Sequence, residues 1–339
     1  YFDKRNKDLI FNVPLPLSAG GTTNLEPTSS ILRNIGTIAN RGFEIATDVD
    51  IYRNRDWKVN FATNLSFIRN KVTQLPEQDK TGIVNGIYLI EEGKSLYQYS
   101  LPTFVGVDQM NGMSLYTPNL TDGFIKEGDA IIGNEKGTDI TNYAEKIGDK
   151  YYVHDITYAA REDQGSALPT CYGSFTPSVS YKSFTLSAMF TFSLGGKLFD
   201  EVYRGLMSTE VTPSNYHMDI LKSWSGVPEG MTEDAPNRIW VNGIPEVNNV
   251  TSIYNNAVSS RWLTSANYLV LKNLYAAYTL PKTWMQALGL ESVTLSMTCE
   301  NLFTTTKRTG MNPQQGFNGT MFNMMVTPRV FSVGLNVKF

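Results

Sequence analysis

Two histidines, His154 and His217, are the only ones in 339 residues, and both stand in segments that read as long loops. An imidazole acting as general acid or base needs an acidic or nucleophilic partner held on a rigid element. The sequence supplies none at a useful spacing. It contains no GxSxG, HExxH, GxGxxG or GxxxxGK pattern. Cys171 and Cys299 stand far apart, without CxxC or metal-ligand spacing, and read as two separate thiols in preference to the alternative of one disulfide. Asp48 and Asp50 alternate with apolar residues, as strand residues do and calcium-loop residues do not. The histidines are therefore expected to be solvated loop residues, and no catalytic residue, metal ligand or cofactor is expected. What remains is aromatic. Tyr216, Trp240, Tyr254 and Trp262 fall within 201–264, where sugars or peptides can stack on exposed rings, with packing of the loop as the competing role for each.

The elements that carry these loops are strands. Residues 328–339 (PRVFSVGLNVKF) alternate without a fault: Phe331, Val333, Leu335, Val337 and Phe339 face one way, and Ser332, Gly334, Asn336 and Lys338 the other. The stretch 42–52 sets Phe43, Ile45, Val49 and Ile51 against Glu44, Asp48 and Asp50. In 57–67, Trp57, Val59, Phe61, Leu65 and Phe67 oppose Lys58, Asn60, Asn64 and Ser66. Residues 184–194 set Phe184, Leu186, Phe190 and Phe192 against Thr185, Ser187, Thr191 and Ser193. Val293, Leu295, Met297 and Cys299 likewise oppose Thr294, Ser296, Thr298 and Glu300, which makes Cys299 a small lipid-facing group. A charge facing hydrocarbon costs about 2–4 kcal/mol at the bilayer midplane, less for acids, so the acidic face must be the inner one.

Composition agrees with a membrane barrel. Aromatic residues make up 12%, charged residues only 18%, and the net charge is −3, which gives no electrostatic basis for binding nucleic acid. No apolar run reaches the length of a spanning helix, whereas barrel strands need only about ten alternating residues. Trp57, Tyr181, Phe184 and Tyr278 sit at the ends of apolar faces, where an interfacial girdle belongs. Ten strands are predicted: 3–13, 36–52, 57–71, 95–107, 113–118, 172–181, 184–198, 266–280, 292–303 and 328–339. Short connections at 53–56, 109–112, 182–183 and 281–289, the last with a short helical turn at 282–288, alternate with long ones at 14–34, 73–93, 119–170, 201–264 and 304–327. That asymmetry is the pattern of an outer-membrane barrel with short periplasmic turns and long outer loops, and it leaves both ends on the periplasmic side. A soluble β-rich adhesin or carbohydrate-binding module explains the alternation equally well, but the loops and the girdle poorly. A stand-alone ten-stranded barrel enzyme, such as a surface protease, needs a histidine–acid pair at the strand rims.

Specific residues then narrow the family. Residues 34–44 (NIGTIANRGFE) resemble the NxGxxxNxGxE strand entry of SusC-like (RagA-like) TonB-dependent transporters of Bacteroidetes, through Asn34, Gly36, Asn40, Gly42 and Glu44. Residues 57–75 resemble the hairpin arm that follows, 106–116 (GVDQMNGMSLY) the Gly-Val-Asp turn, and 180–198 the FSYK hairpin. YLVLKNLYAAYTLP, from Tyr268, is similar to the family's YLRLKNLxLGYxLP. NLFTTTKRTGMNP, with Asn301, Phe303, Gly310 and Pro313, is similar to NLFTxTxYxGxDPE, and Pro328, Arg329 and Phe339 belong to the closing strand. Val270, Asn312 and Gln314 depart from the family pattern. The resemblance implies that residues 1–339 are the carboxy-terminal part of a 22-stranded plugged barrel, about its last ten strands. The plug domain and TonB box then lie outside this sequence. It further implies import of an oligosaccharide or oligopeptide across the bacterial outer membrane, a SusD-like surface lipoprotein as lid, energy from TonB with ExbB and ExbD, and no enzymatic activity. Trp224 and Arg238, in a stretch resembling a family loop, are expected to fold that loop.

Overall fold

The computed structural model describes residues 1–339 apart from Asp8, 15–29, Ile35, 120–143, 211–213, Leu288, Thr309, Pro313, Gln315, Phe317 and 323–326. Eight antiparallel strands form one sheet in simple chain order: β1 (Phe2–Asn6), β2 (Thr37–Arg53), β3 (Trp57–Gln74), β4 (Cys171–Tyr181), β5 (Phe184–Leu194), β6 (Tyr268–Thr279), β7 (Ser292–Thr306) and β8 (Val330–Lys338). β1 and β8 are the two edges, each paired on one side only among the described residues.

Register puts the outward residues in rows. Trp57, Tyr181, Phe184 and Tyr278 are successive cross-strand partners, and the Trp57 and Tyr181 rings lie 4.4 Å apart. This is the predicted girdle, and it borders the short turns. A second belt joins Phe175 to Phe190 at 4.9 Å and Phe190 to Phe303 at 6.4 Å. Val333 is 76% exposed on the same face. Cys299 corrects an expectation. Its register places it in an outward row between Leu274 and Phe331, yet it is buried, because a thiol is too short to rise past its larger neighbours. Both cysteines are free. On the inner face, Asn60 donates to Asp48 (2.6 Å) and Asp50 (3.0 Å), and Lys58 lies 3.3 Å from Asp50.

Short and long connections alternate strictly. Asn54–Asp56 close β2 to β3: the Asn54 side-chain oxygen accepts from the Asp56 and Trp57 amides at 2.9 and 2.7 Å, a local bond that fixes a tight turn. Lys182, with φ +51°, turns β4 into β5. The helix Lys282–Ala287 fills the third short connection, as expected, with Leu288 outside the described residues.

The long connections pack into a separate layer at the other end of the strands, and here the predicted strand count changes. The segments 95–107 and 113–118 do not join the wall. Gln98–Pro102 belongs to a four-stranded sheet with Ile83–Asn85, Tyr88–Ile90 and Arg161–Ser166, while Phe104–Asp108 and Ser114–Tyr116 belong to a five-stranded sheet with Ala144–Ile147, Lys150–Val153 and Ile239–Trp240. Residues 109–112 therefore turn a hairpin inside this layer and are not a periplasmic turn. The physical reason is burial on both faces. Tyr99, Leu101, Val107, Leu115 and Tyr116 are all fully buried, which lipid and lumen exposure do not allow. The first predicted strand, 3–13, also divides: β1 stops at Asn6, and Ile10–Pro14 pairs with Ser30–Asn34.

The family-like residues build the wall's junctions. Gly36 holds φ +107°, and a Cβ there would sit 1.8 Å from the Gln74 carbonyl oxygen, so only glycine fits. At Gly42 a Cβ would meet the Phe67 oxygen at 2.1 Å and the Phe2 ring at 2.6 Å. Asn40 accepts from Asn70 (2.7 Å), whose own oxygen accepts from the Leu96 amide (2.8 Å) and ties wall to loop layer. Asn301 takes φ +53° at a bulge opposite Lys272, accepts from the Lys272 ammonium (2.8 Å) and donates to the Pro328 carbonyl (3.1 Å). Glu44 and Arg329 are exposed, Gly310 has φ +83°, Phe339 is 92% exposed, and Pro313 lies outside the described residues.

Candidate functional site

Within the loop layer, three chain segments far apart in sequence close around one cavity of about 530 Å³. Phe104 reaches it from the connection between β3 and β4. Tyr203, Asp219, Lys222, Gly243 and Arg261 come from the connection between β5 and β6, and Arg308 from just beyond β7. The helix Glu201–Leu206 presents Tyr203. It starts where Asp200 accepts from the Tyr203 amide at 2.9 Å, an N-cap that satisfies an otherwise orphan donor. The helical turn Met218–Lys222 presents Asp219 and starts at His217, whose Nδ1 accepts from the Asp219 amide at 3.1 Å.

Charge in the cavity is unevenly matched. Asp219 accepts from Lys222 (2.8 Å) and from the Tyr203 hydroxyl (3.0 Å); the Lys222 bond, ahead of the others, holds its carboxyl below the usual range. Arg308 lies over the Tyr203 ring at 3.5 Å and approaches Asp200 at 3.4 Å. That approach lacks hydrogen-bond geometry, and one terminal nitrogen of Arg308 is buried without an acceptor among the described residues. Arg261 is held between rings, 4.4 Å from Trp262 and 5.4 Å from Phe104, and donates once, to the Asn255 carbonyl at 2.8 Å. No carboxylate pairs with it among the described residues. Burial pushes its guanidinium down to about 10, so it stays charged at neutral pH.

A second constellation clasps the loops beside this cavity. Arg238 donates through Nε and Nη2 to both oxygens of the fully buried Asp108, at 2.9 and 2.7 Å, and also to Glu145. Glu145 in turn faces His154 Nε2 at 3.2 Å, while His154 Nδ1 faces the Ser114 carbonyl at 2.8 Å. Trp224 donates to the Gln109 carbonyl at 3.0 Å. Neither histidine is a solvated loop residue, contrary to expectation: His154 is half-buried in this network, and His217 caps a turn and meets the Tyr203 ring edge-on at 4.9 Å. Among the described residues no group of His, Cys, Asp and Glu could hold a metal ion.

None of the four loop aromatics singled out in the sequence lines the cavity. Trp262 is 0% exposed and its indole donates to the Ala257 carbonyl at 2.8 Å, so it cannot stack on a ligand; it packs the loop core. Tyr254 is half-buried and its carbonyl accepts from the Tyr116 hydroxyl at 2.8 Å. Tyr216 is half-buried, while Trp240 keeps an exposed ring beside Gly243. Sequence reasoning missed Phe104, Tyr203, Asp219, Arg261 and Arg308. The one local signal was an arginine next to the tryptophan of SSRWL, because nothing in sequence spacing brings three separate loops together.

No family model matches the chain. Among curated proteins, TonB-dependent receptor P3 of Formosa agariphila is 25% identical over 358 residues, covering 100% of this chain and 32% of the relative. TonB-dependent receptor P39 of the same organism is 26% identical over 99% of this chain and 33% of the relative. The chain thus spans about a third of the length of the curated relatives it matches. Among solved structures, that of the RagAB peptide transporter superposes with a TM-score of 0.70 at 20% identity, over 99% of this chain and 32% of that one. The closed-closed state of the RagAB peptide importer gives 0.68 at 21% identity, over 99% and 33%. Along its whole length this chain is similar to a portion of TonB-dependent receptors, and it shares its fold with the corresponding portion of the RagAB structures.

Proposed function

We propose that the receptor to which this chain belongs imports a large nutrient, an oligosaccharide or oligopeptide, across the bacterial outer membrane. Residues 1–339 would be the carboxy-terminal part of its barrel, supplying wall and outer loops. One observation carries this reading: a single sheet, apolar outside and polar inside, whose edge strands β1 and β8 each leave a row of backbone groups unpaired among the described residues. Such edges call for further strands, and such an outer face calls for lipid. A soluble module would have to cover that face with protein.

The remaining strands, a plug and a TonB box would lie elsewhere in the receptor. A SusD-like surface lipoprotein would close over the long loops, and TonB with ExbB and ExbD would supply the energy. Trp240, whose ring is exposed, would be the loop aromatic that stacks on cargo, whereas Tyr216 and Tyr254 would support the loops around it. The chain's own part is to bind, orient and enclose, with no bond made or broken. The test is uptake by cells lacking the receptor gene, offered fluorescent pools of oligopeptides and of oligosaccharides. Loss of uptake of one pool, restored by the gene in trans, is expected. Unchanged uptake of both, or a protein released from membranes by salt alone, overturns the reading.

A further inference from the structure

We infer that the loop-layer cavity is a carboxylate-recognition site, in which Arg308 and Arg261 bind the free acid group of an oligomeric solute. This deepens the import reading and rests on it for its biological use. The argument begins with what the guanidinium groups lack. A buried or half-buried guanidinium ordinarily saturates its donors with carboxylates and carbonyls. Arg238, in the same layer, does so with both oxygens of Asp108. Arg308 makes no side-chain hydrogen bond among the described residues, and Arg261 makes one.

Both groups are nonetheless held in place. Arg308 lies on the Tyr203 ring and Arg261 between the Trp262 and Phe104 rings. Stacking engages the flat face of a guanidinium and leaves its N–H edges to meet an acceptor, the geometry that a planar carboxylate satisfies with two parallel bonds. The cavity's one lining acid, Asp219, is already neutralised by Lys222, so the site carries net positive charge. Asp200 lies 3.4 Å from Arg308 but is itself engaged at the helix start. A volume of about 530 Å³ is within the range of small-ligand sites, about 300–1,000 Å³, and holds more than a lone ion. Tyr203 and Phe104 add aromatic surface for the adjoining unit of the solute.

The acid group can be the end of a peptide or a uronate of an acidic glycan, and three probes separate them. Tetraalanine, its carboxy-terminal amide and tetragalacturonate are titrated by calorimetry into the full-length receptor in detergent. One free acid is expected to bind at least ten-fold more tightly than the amide, the peptide acid or the uronate showing which source the site takes. Arg308→Gln, in the cavity lining, is expected to remove that preference. Arg308→Lys, which keeps the charge but loses the fork, should restore only part of it. Acid and amide binding alike in the wild type, or a preference that survives in Arg308→Gln, overturns the inference. Loss of the acid preference with uptake by cells intact sinks the site alone; intact preference with no uptake sinks the import reading alone.

Discussion

The wall and the loop layer of this chain solve opposite problems. In the wall, the large apolar residues Phe43, Ile51, Phe331, Val333 and Leu335 are exposed and the polar residues of the other face line a lumen, so each strand is stable only with lipid outside and neighbouring strands at its sides. In the loop layer, Tyr99, Tyr116, Phe199 and Trp262 are inaccessible to solvent or nearly so, and buried charges such as Asp108 and Arg238 are paired within the chain. A residue's burial in the wall is thus supplied by its surroundings, whereas in the loops it is supplied by the chain itself. The same residue types consequently answer to different tests. A buried charge should be critical only in the loops, and an introduced charge on an exposed apolar site only in the wall.

Breaking the Asp108–Arg238 pair should have the largest effect. Removing one partner of a buried ion pair typically costs about 3–5 kcal/mol, and among the described residues Arg238 would keep only Glu145 as a carboxylate partner. Asp108→Asn is expected to open the loops to protease in the full-length receptor while its barrel still resists unfolding in detergent on unheated gels. Simultaneous loss of both would mean that wall and loops unfold as one unit. The next effect belongs to the wall. Val333→Arg places a charge in the outward row shared with Met297 and Ala276 and should cost about 2–4 kcal/mol if that row lies near the bilayer midplane. Ser332→Arg, one residue away on the inner face, should cost far less. Refolding of both variants into lipid vesicles along a denaturant series separates them, and equal penalties would deny that lipid wets the Val333 face.

The two regions also differed in how much their sequences disclosed. Strict alternation in 42–52, 57–67, 184–194 and 328–339 announced wall strands because an outer face in lipid and an inner face in water impose period two on every residue. The same inference failed at 95–107 and 113–118. Strands buried on both faces carry no polar alternation to read, and a fully buried Tyr99 or Leu115 resembles a lipid-facing one in sequence alone. Trp262 misled for a related reason, since an aromatic in a long loop looks available until the loop is found to have a core. The cavity was not legible at all: Arg261 and Arg308 stand 47 positions apart in sequence, with two wall strands between them, and line one cavity only because the connections fold back over the barrel. Gly36 and Asn301, by contrast, were marked by motif, and both prove to be backbone positions, one admitting no Cβ and one bending a strand at a bulge.

The smallest effect sharpens the contrast by pH, because the His154 clasp exists only in the loops. Both ring nitrogens of His154 face acceptors, the Ser114 carbonyl and the Glu145 carboxylate, and only the doubly protonated ring donates to both. Burial alone would favour the neutral ring, but the bonds to Glu145 and Ser114 outweigh it and raise the His154 pKa. The other charged groups facing this pair are Arg238 and Asp108. Glu145 is held down at about 2, first by the His154 bond and then by Arg238. The signs follow from linkage. A raised histidine contributes stability that is complete below its ordinary value of 6.5 and is lost as pH climbs through the higher folded value. A depressed carboxyl contributes stability that is complete above its ordinary 4.5 and is lost as pH falls toward about 2. Loop stability should therefore be highest between these limits, with protection of the Ser114–Tyr116 and Lys150–Val153 amides against hydrogen exchange, corrected for intrinsic rate, declining above about 6.5. His154→Gln should flatten that alkaline decline and leave the amides of β6 and β7 unaffected at every pH. A decline that persists in the variant, or one shared equally by the wall, would show that the clasp does not set the pH response of the loops.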